Sequence, residues 1–257
     1  NFNLILAKRN ITSPSSIGPL ILTTLGIGIS LLLTILIIAG SFQNLIQKSV
    51  DTKAPDFFFI GIDQSVKNDF QNYIINEYPM SDLALVPMAT AKIKAINGTD
   101  PLSYINKRNP SYWVISSERR ITWLEQPANN NPINEGEWWS DNPSDKMYIS
   151  FDHDAAKDLG IQINDNITMN IYGRDITGIV KNFRNVDYAD FTINFVMVLN
   201  TNYAQSIPHE YIGTVKLSNQ HNFQEYALLQ QFPNISSIKI SNYAEKINQL
   251  LNQVNIA

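Results

Sequence analysis

Ile17–Phe42 reads IGPLILTTLGIGISLLLTILIIAGSF and holds no charged residue. A helix rises about 1.5 Å per residue, so about 20 apolar residues cross a hydrocarbon core about 30 Å thick. Inside lipid, only helices and closed barrels satisfy their own backbone polar groups. The stretch therefore predicts one membrane-spanning helix over about 17–42, with length to spare for tilt. A cleaved signal peptide has a shorter apolar region, about 7–15 residues, and a small-residue cleavage site. Here QNLIQKSV follows instead. A buried core helix rarely stays apolar on every face for this length. Gly26, Gly28 and Ser30 lie within the run and are candidates for close packing against a partner helix, because small residues let helix backbones approach in lipid.

The flanks set an orientation. Lys8 and Arg9 precede the run, beside the amphipathic segment Phe2-Asn3-Leu4-Ile5-Leu6, which has the composition of an interfacial segment. Basic residues before a span favour a cytoplasmic N-terminus. Lys48 and Lys53 follow the span and oppose this more weakly. The expectation is an inner (plasma) membrane protein of a bacterium whose main domain lies outside.

Charge divides unevenly. Residues up to Lys53 sum to about +3, leaving about −7 in the remainder of a chain whose net charge is −4. So acidic a domain excludes a nucleic-acid partner, whose footprint is a clustered basic face. The chain has no cysteine, which excludes thiol catalysis, disulfide frameworks and cysteine-ligated zinc. Some 200 residues after the span are ample for an ordinary core. Asparagine and isoleucine make up about a quarter of the sequence, far above average usage, and read as nucleotide bias.

Beyond a segment of residues 1–53 that contains interfacial stretch, span and stalk, the pattern predicts an α+β domain. Phe57–Ile62 is an apolar strand. Asp63 is placed to cap a helix that carries Val66, Phe70, Tyr73, Ile74 and Tyr78 on one face. Leu83–Ile96 reads as extended and ends at the turn Asn97-Gly98. The C-terminal part repeats this grammar, with a strand over Tyr211–Leu217, a helix over Phe223–Leu229 and a strand over Ile235–Ile240. A last helix, capped by Ser241, spans Asn242–Val254. Two strand-helix-strand halves (54–98 and 205–257) predict a split ferredoxin-like layer. The intervening 99–204 reads as an inserted β-rich subdomain. Its strands are expected at Trp113–Trp123, Met147–Phe151, Ile167–Tyr172, Asp175–Phe183 and Thr192–Leu199, with a hairpin turn at Gly173-Arg174-Asp175 and a polar loop from Gln126 to Asn134.

Few residues could carry chemistry. His153, His209 and His221 are scattered, without metal-ligand spacing. Asp152-His153-Asp154 follows a strand and precedes AAKDLG, so it reads as a helix cap with acids in the first turn. Neither a G-x-S-x-G elbow nor a phosphate-binding glycine loop occurs. Tyr112, Trp113, Trp123, Trp138 and Trp139 are expected to pack a core rather than to stack a ligand. Glu118-Arg119-Arg120 is expected to be solvated, with Arg120 able to pair with a buried carboxylate. No catalytic, cofactor or metal residue is assigned.

Several stretches together resemble the outer domain of FtsX/MacB/LolC-type ABC transporter permeases. AKDLGIQINDNI, from Ala156 through Leu159, Gly160 and Asp165 to Ile167, is similar to that family's A-x-x-L-G-x-x-x-G-D-x-[IV] pattern. Asn164 stands at the usual glycine and is able to keep the positive φ of the turn. The YbbP-like branch is closer. Ala54-Pro55-Asp56 with its aromatics, Arg120 to Trp123, Gly136 to Trp138 and Trp139, and Arg184 through Asp187 to Asn194 and Phe195 match it in order. The resemblance implies a non-catalytic permease subunit with a MacB-like domain, and a longer protein with about three further spans after Ala257. It also implies a separate cytoplasmic ABC ATPase, membrane lipid and a second permease copy as partners, and export or extraction of a lipid, lipoprotein or other hydrophobic substrate. The alternative is a single-anchor receptor with an outer ligand-binding domain; an anchored outer enzyme ranks below both.

Overall fold

The computed structural model describes residues 17–52, 54–141, 143–188, 192–218 and 223–240, and for 42–52 it describes the backbone alone. Two compact units result. Lys53–Ser241 is one; residues 1–52 with 242–257 form the other. The expected interfacial segment, His221 and the helix over Asn242–Val254 lie outside the described residues.

In the smaller unit, helix α1 runs Gly18–Thr52. Its Gly18–Ser41 part is long and apolar enough to cross a membrane, and Leu and Ile side chains all round it are exposed. Its hydroxyls fold back on the helix, as a lipid environment demands. Thr23 and Thr24 donate to the Leu20 carbonyl at 2.9 and 3.0 Å, and Thr34 donates to that of Ser30 at 2.8 Å.

The larger unit begins with β1 (Phe57–Asp63), α2 (Lys67–Glu77) and β2 (Asp82–Ile96), and closes with β9 (Glu210–Lys216), α6 (Glu225–Gln231) and β10 (Ser236–Lys239). These strands lie in the order β10-β1-β9-β2, each pair antiparallel, so the two strand-helix-strand units interleave. Successive β1 side chains point to opposite faces. Phe57 and Phe59 meet Phe70 and Ile74 of α2 and Leu228 of α6, while Phe58 and Ile60 face a second cluster with Met88, Tyr148 and Phe195. Asp63 is not the cap of α2. Its carboxylate accepts from Ser65 N at 2.8 Å, turning the chain so that Val66 becomes the residue before the helix.

Between these halves lie α3 (Tyr112–Ser116), β3 (Arg119–Leu124), β4 (Ile133–Gly136), β5 (Met147–Asp152), α4 (His153–Leu159), β6 (Asn166–Ile171), β7 (Arg174–Arg184), β8 (Met197–Asn200) and α5 (Thr201–Ala204). Their pairings close a ring, β2-β3-β8-β5-β7-β6 and back to β2. This is a barrel, and closure leaves its member strands without a free edge. Ile121, Ile149, Phe151, Ile167, Met169 and Met197 fill it. β2 belongs to both sheets. It pairs with β9 as far as Met88 and with β3 from Ala89, and Pro87, which has no N–H to donate, sits just before the change.

Three local expectations are corrected. Tyr112–Ser116 is helical rather than extended, because Val114 and Ile115 bury as one helical face in the barrel core. The β6–β7 turn is Tyr172-Gly173, both at positive φ, one residue earlier than expected. Thr192–Leu199 supplies only a short strand, β8.

Candidate functional site

The cap reading of Asp152-His153-Asp154 matches the geometry. Asp152 accepts from Ala155 N at 3.0 Å and opens α4, while Gly160 at φ 71° closes it. His153 lies 3.2 Å from Asp154, whose side chain is exposed. Among the described residues, no group of three His, Cys, Asp or Glu side chains could hold a metal. His209 is packed rather than poised. Its Nδ1 is 2.7 Å from the Ile207 carbonyl oxygen, and its ring stands edge-on to Trp123 at 4.8 Å. The Leu159–Asp165 segment is a turn. Asn164 has φ 72°, as its replacement of glycine requires, and Asp165 accepts from Gln162 N at 2.7 Å and from the Asn97 side chain at 2.8 Å.

The residues that converge do so elsewhere. Between the face of the four-strand layer away from its helices and the outer wall of the barrel lies a cavity of about 330 Å³, within the range of small-molecule sites. Pro55, Trp138, Arg184 and Phe195, drawn from three separate motifs of the sequence, line it. Asp56, next to Pro55, accepts from Leu217 N at 2.6 Å and so fixes where β1 begins. Trp138 packs on Trp139, ring centroids 3.9 Å apart, and donates to the Glu125 carbonyl at 3.0 Å. Gly136 brings β4 against β7: at φ 77°, any Cβ there would run into the Lys181 carbonyl and lie 3.0 Å from Asn182 Cα.

The polar wall is built on a buried cation. Arg184 is 2% exposed. Its Nε donates to Ser150 Oγ at 2.7 Å and its Nη2 to the Phe195 carbonyl at 3.0 Å. Ser150 donates onward to Asn182 Oδ1, and Asn182 Nδ2 donates to the Glu137 carbonyl at 3.1 Å. Such a chain of bonds joins β5 and β7 to the Trp138 segment. Burial pushes the guanidinium down to about 10, against the favourable charges of Tyr188 and Asp152. Tyr188 moves the other way: burial first, then Asp152, whose carboxylate accepts from its hydroxyl, raises it well above the ordinary tyrosine range.

Beneath this wall, Asn194 Nδ2 donates to the Asp187 carbonyl at 2.8 Å, and its Oδ1 accepts from Asn131 Nδ2 at 3.0 Å. Asn131 lines the cavity at 3% exposure, and its Oδ1 has no donor among the described residues. At the rim, Asp82 and Lys216 are opposite one another in the β2–β9 register.

Sequence reasoning placed Asn131 in a polar loop and missed it, because a buried asparagine and a solvated one are spelled alike. Other expected positions lie apart. Arg120 is exposed on β3, and the buried arginine near a carboxylate is Arg184. Trp123 and Trp139 are buried as expected. Trp113 is 40% exposed, with Arg119 stacked over it at 5.0 Å. On α1, Thr23, Gly26, Ile27, Ser30, Leu31 and Thr34 form a shallow groove. Gly28 is not in it, since two residues turn a helix by about 200°.

No family model matches the chain. It is similar to the uncharacterized ABC transporter permease YbbP of Escherichia coli (strain K12), with 22% identity over 226 residues. The match covers 88% of this chain and 27% of that protein, so the chain spans about a quarter of the length of the curated relative it matches. A solved domain described as that of a permease protein from Porphyromonas gingivalis is 13% identical. It covers 70% of this chain and 86% of that one at a TM-score of 0.37. By sequence, the chain is thus similar over most of its length to part of an ABC transporter permease.

Proposed function

We propose that this chain is the first span and outer domain of a permease subunit of an ABC-type transporter. The observation that carries the reading is the sequence similarity to YbbP across 88% of the chain. The apolar helix supports it: α1 spans 35 residues, about 52 Å at about 1.5 Å per residue, against a hydrocarbon core of about 30 Å. The N-terminus is cytoplasmic and the Lys53–Ser241 unit extracytoplasmic, on a bacterial plasma membrane. A separate cytoplasmic ATPase supplies the energy, and the moving first span passes motion to a MacB-like outer domain. That domain comprises a porter-type layer of 54–98 and 205–240 and the inserted 99–204. Coupling of this kind runs through stiff elements with two arrangements. The substrate is a lipid, lipoprotein or other hydrophobic molecule, a second permease copy completes the path, and the subunit itself catalyses nothing.

Isolation of the tagged full-length protein from its native membranes tests this. An ATP-binding subunit should co-isolate, and the complex should hydrolyse ATP in a vanadate-sensitive way. Isolation alone would overturn the reading, and isolation with a histidine kinase would favour the single-anchor receptor, which the cavity would also suit.

A further inference from the structure

We propose that the cavity lined by Trp138, Phe195 and Arg184 binds a small amphipathic carboxylate, its apolar body against the walls and one carboxylate oxygen on Arg184 Nη1. This goes beyond the permease reading, which assigns no site to this place. Three observations converge. The first is a buried cation with one nitrogen unused. Arg184 is 2% exposed and lines the cavity. Its Nε donates to Ser150 Oγ at 2.7 Å, and its Nη2 is directed at the Ser150, Phe195 and Val196 carbonyls at 3.4, 3.0 and 3.5 Å. Among the described residues Nη1 has no hydrogen-bond partner, and it is not sealed from solvent as Asn131 Oδ1 is.

The second is an unmatched charge. Among the described residues no carboxylate stands within salt-bridge distance of Arg184. Asp152 acts on it from farther away and is itself engaged by Ala155 N and the Tyr188 hydroxyl. Asp82 and Lys216, the other charged residues in the wall, stand opposite each other in the β2–β9 register and offset, so Arg184 leaves the wall with net positive charge. A buried charge without a partner is costly, and burial already pulls this guanidinium down to about 10. A bound carboxylate supplies the missing counter-charge. The third observation is the rest of the wall, where Val86, Leu124, Phe195 and Val198 favour an aliphatic or aromatic body. The geometry also selects the head. A guanidinium grips an anion in a fork through two neighbouring nitrogens, but here Nε and Nη2 are both spent. Nη1 alone suits one oxygen of a singly charged head rather than a phosphate dianion.

The test uses the full chain in lipid nanodiscs with 5-fluorotryptophan at its four tryptophans, resonances assigned by single Trp→Phe variants. The probes are 4-butylbenzoate, its uncharged isostere 4-butylbenzamide, and inorganic phosphate. At neutral pH the benzoate should shift the Trp138 resonance saturably and leave that of Trp113, which does not line the cavity, in place. The amide should need about tenfold more, because hydrogen bonds between charged groups are the stronger ones, and phosphate should bind more weakly than the benzoate. Arg184→Leu should erase the preference for benzoate over amide. Because that variant also loses the bonds that hold β5, Ala84→Phe serves as a second: Ala84 is exposed at the cavity wall, and the ring should block the shift without disturbing the core. Equal affinities for benzoate and amide, tighter binding of phosphate, or an unmoved Trp138 resonance would each overturn the proposal. So would a preference that survives in folded Arg184→Leu or a shift that survives in Ala84→Phe. No ATPase is present in this assay, so its failure bears on the cavity alone, while failure to co-isolate an ATPase bears on the permease reading alone.

Discussion

Arg184 shows how one side chain organises this fold. Its head satisfies the Ser150 carbonyl on β5 and the Phe195 carbonyl just before β8, and leads a hydrogen-bond chain to the Trp138 segment. Arg184→Leu keeps much of the volume but orphans those acceptors and the nearby Asp152. It should destabilise the larger unit by about 3 kcal/mol, read as a lowered denaturant midpoint. The titration of this pair has a defined sign. Burial lowers Arg184 from the ordinary guanidinium range to about 10, so the charge opposes folding at neutral pH and that cost is relieved as pH rises above about 10. Tyr188 is raised. Its contribution is complete below the ordinary tyrosine value of about 10 and is lost as pH climbs through the folded value. Ultraviolet titration of the folded chain should therefore show a tyrosine that ionises after the others, and Tyr188→Phe should remove that late component. The motif arginines and tryptophans were visible in the sequence, but Asn131 was not, because only its surroundings distinguish it from its neighbours Asn129 and Asn130.

Elements were legible where burial follows a local period. β1, α2, β2, β5, β6, β7 and β9 lie close to where alternation or helical spacing placed them. The misses have a common cause. Tyr-Trp-Val-Ile over 112–115 is rich in strand-favouring residues, yet packing of Val114 and Ile115 draws it into α3. Nor could closure of the barrel be read, since β3–β8 and β5–β7 are parallel pairs between segments distant in sequence. Gly136, at the β4–β7 contact, is held there by backbone crowding. Gly136→Ala should cost about 3 kcal/mol through strain and displacement of β7, measured by chemical denaturation. In α1 the prediction is one of contrast. Gly26→Ile fills the groove of Ser30 and Thr34, and in the full-length protein it should reduce cross-linking of this helix to its neighbours, whereas Gly28→Ile, off the groove, should change little. Equal effects would show that the groove is not the packing face.

At the scale of the molecule, both chain ends of the larger unit meet at one residue. Asp56 N donates to the Val215 carbonyl at 2.9 Å, its own carbonyl accepts from Ile240 N at 3.0 Å, and its carboxylate accepts from Leu217 N. Entry and exit strands are thereby tied side by side. The proposed permease reading requires that α1 cross the membrane and that the Lys53–Ser241 unit lie outside. The absence of native cysteine makes this directly measurable. Single cysteines placed at Asn76, exposed on α2, and at Asn3, before the span, can be probed in intact cells with a membrane-impermeant maleimide. Asn76→Cys should label in intact cells, and Asn3→Cys only after permeabilisation; the reverse pattern, or labelling of both in intact cells, would contradict the account.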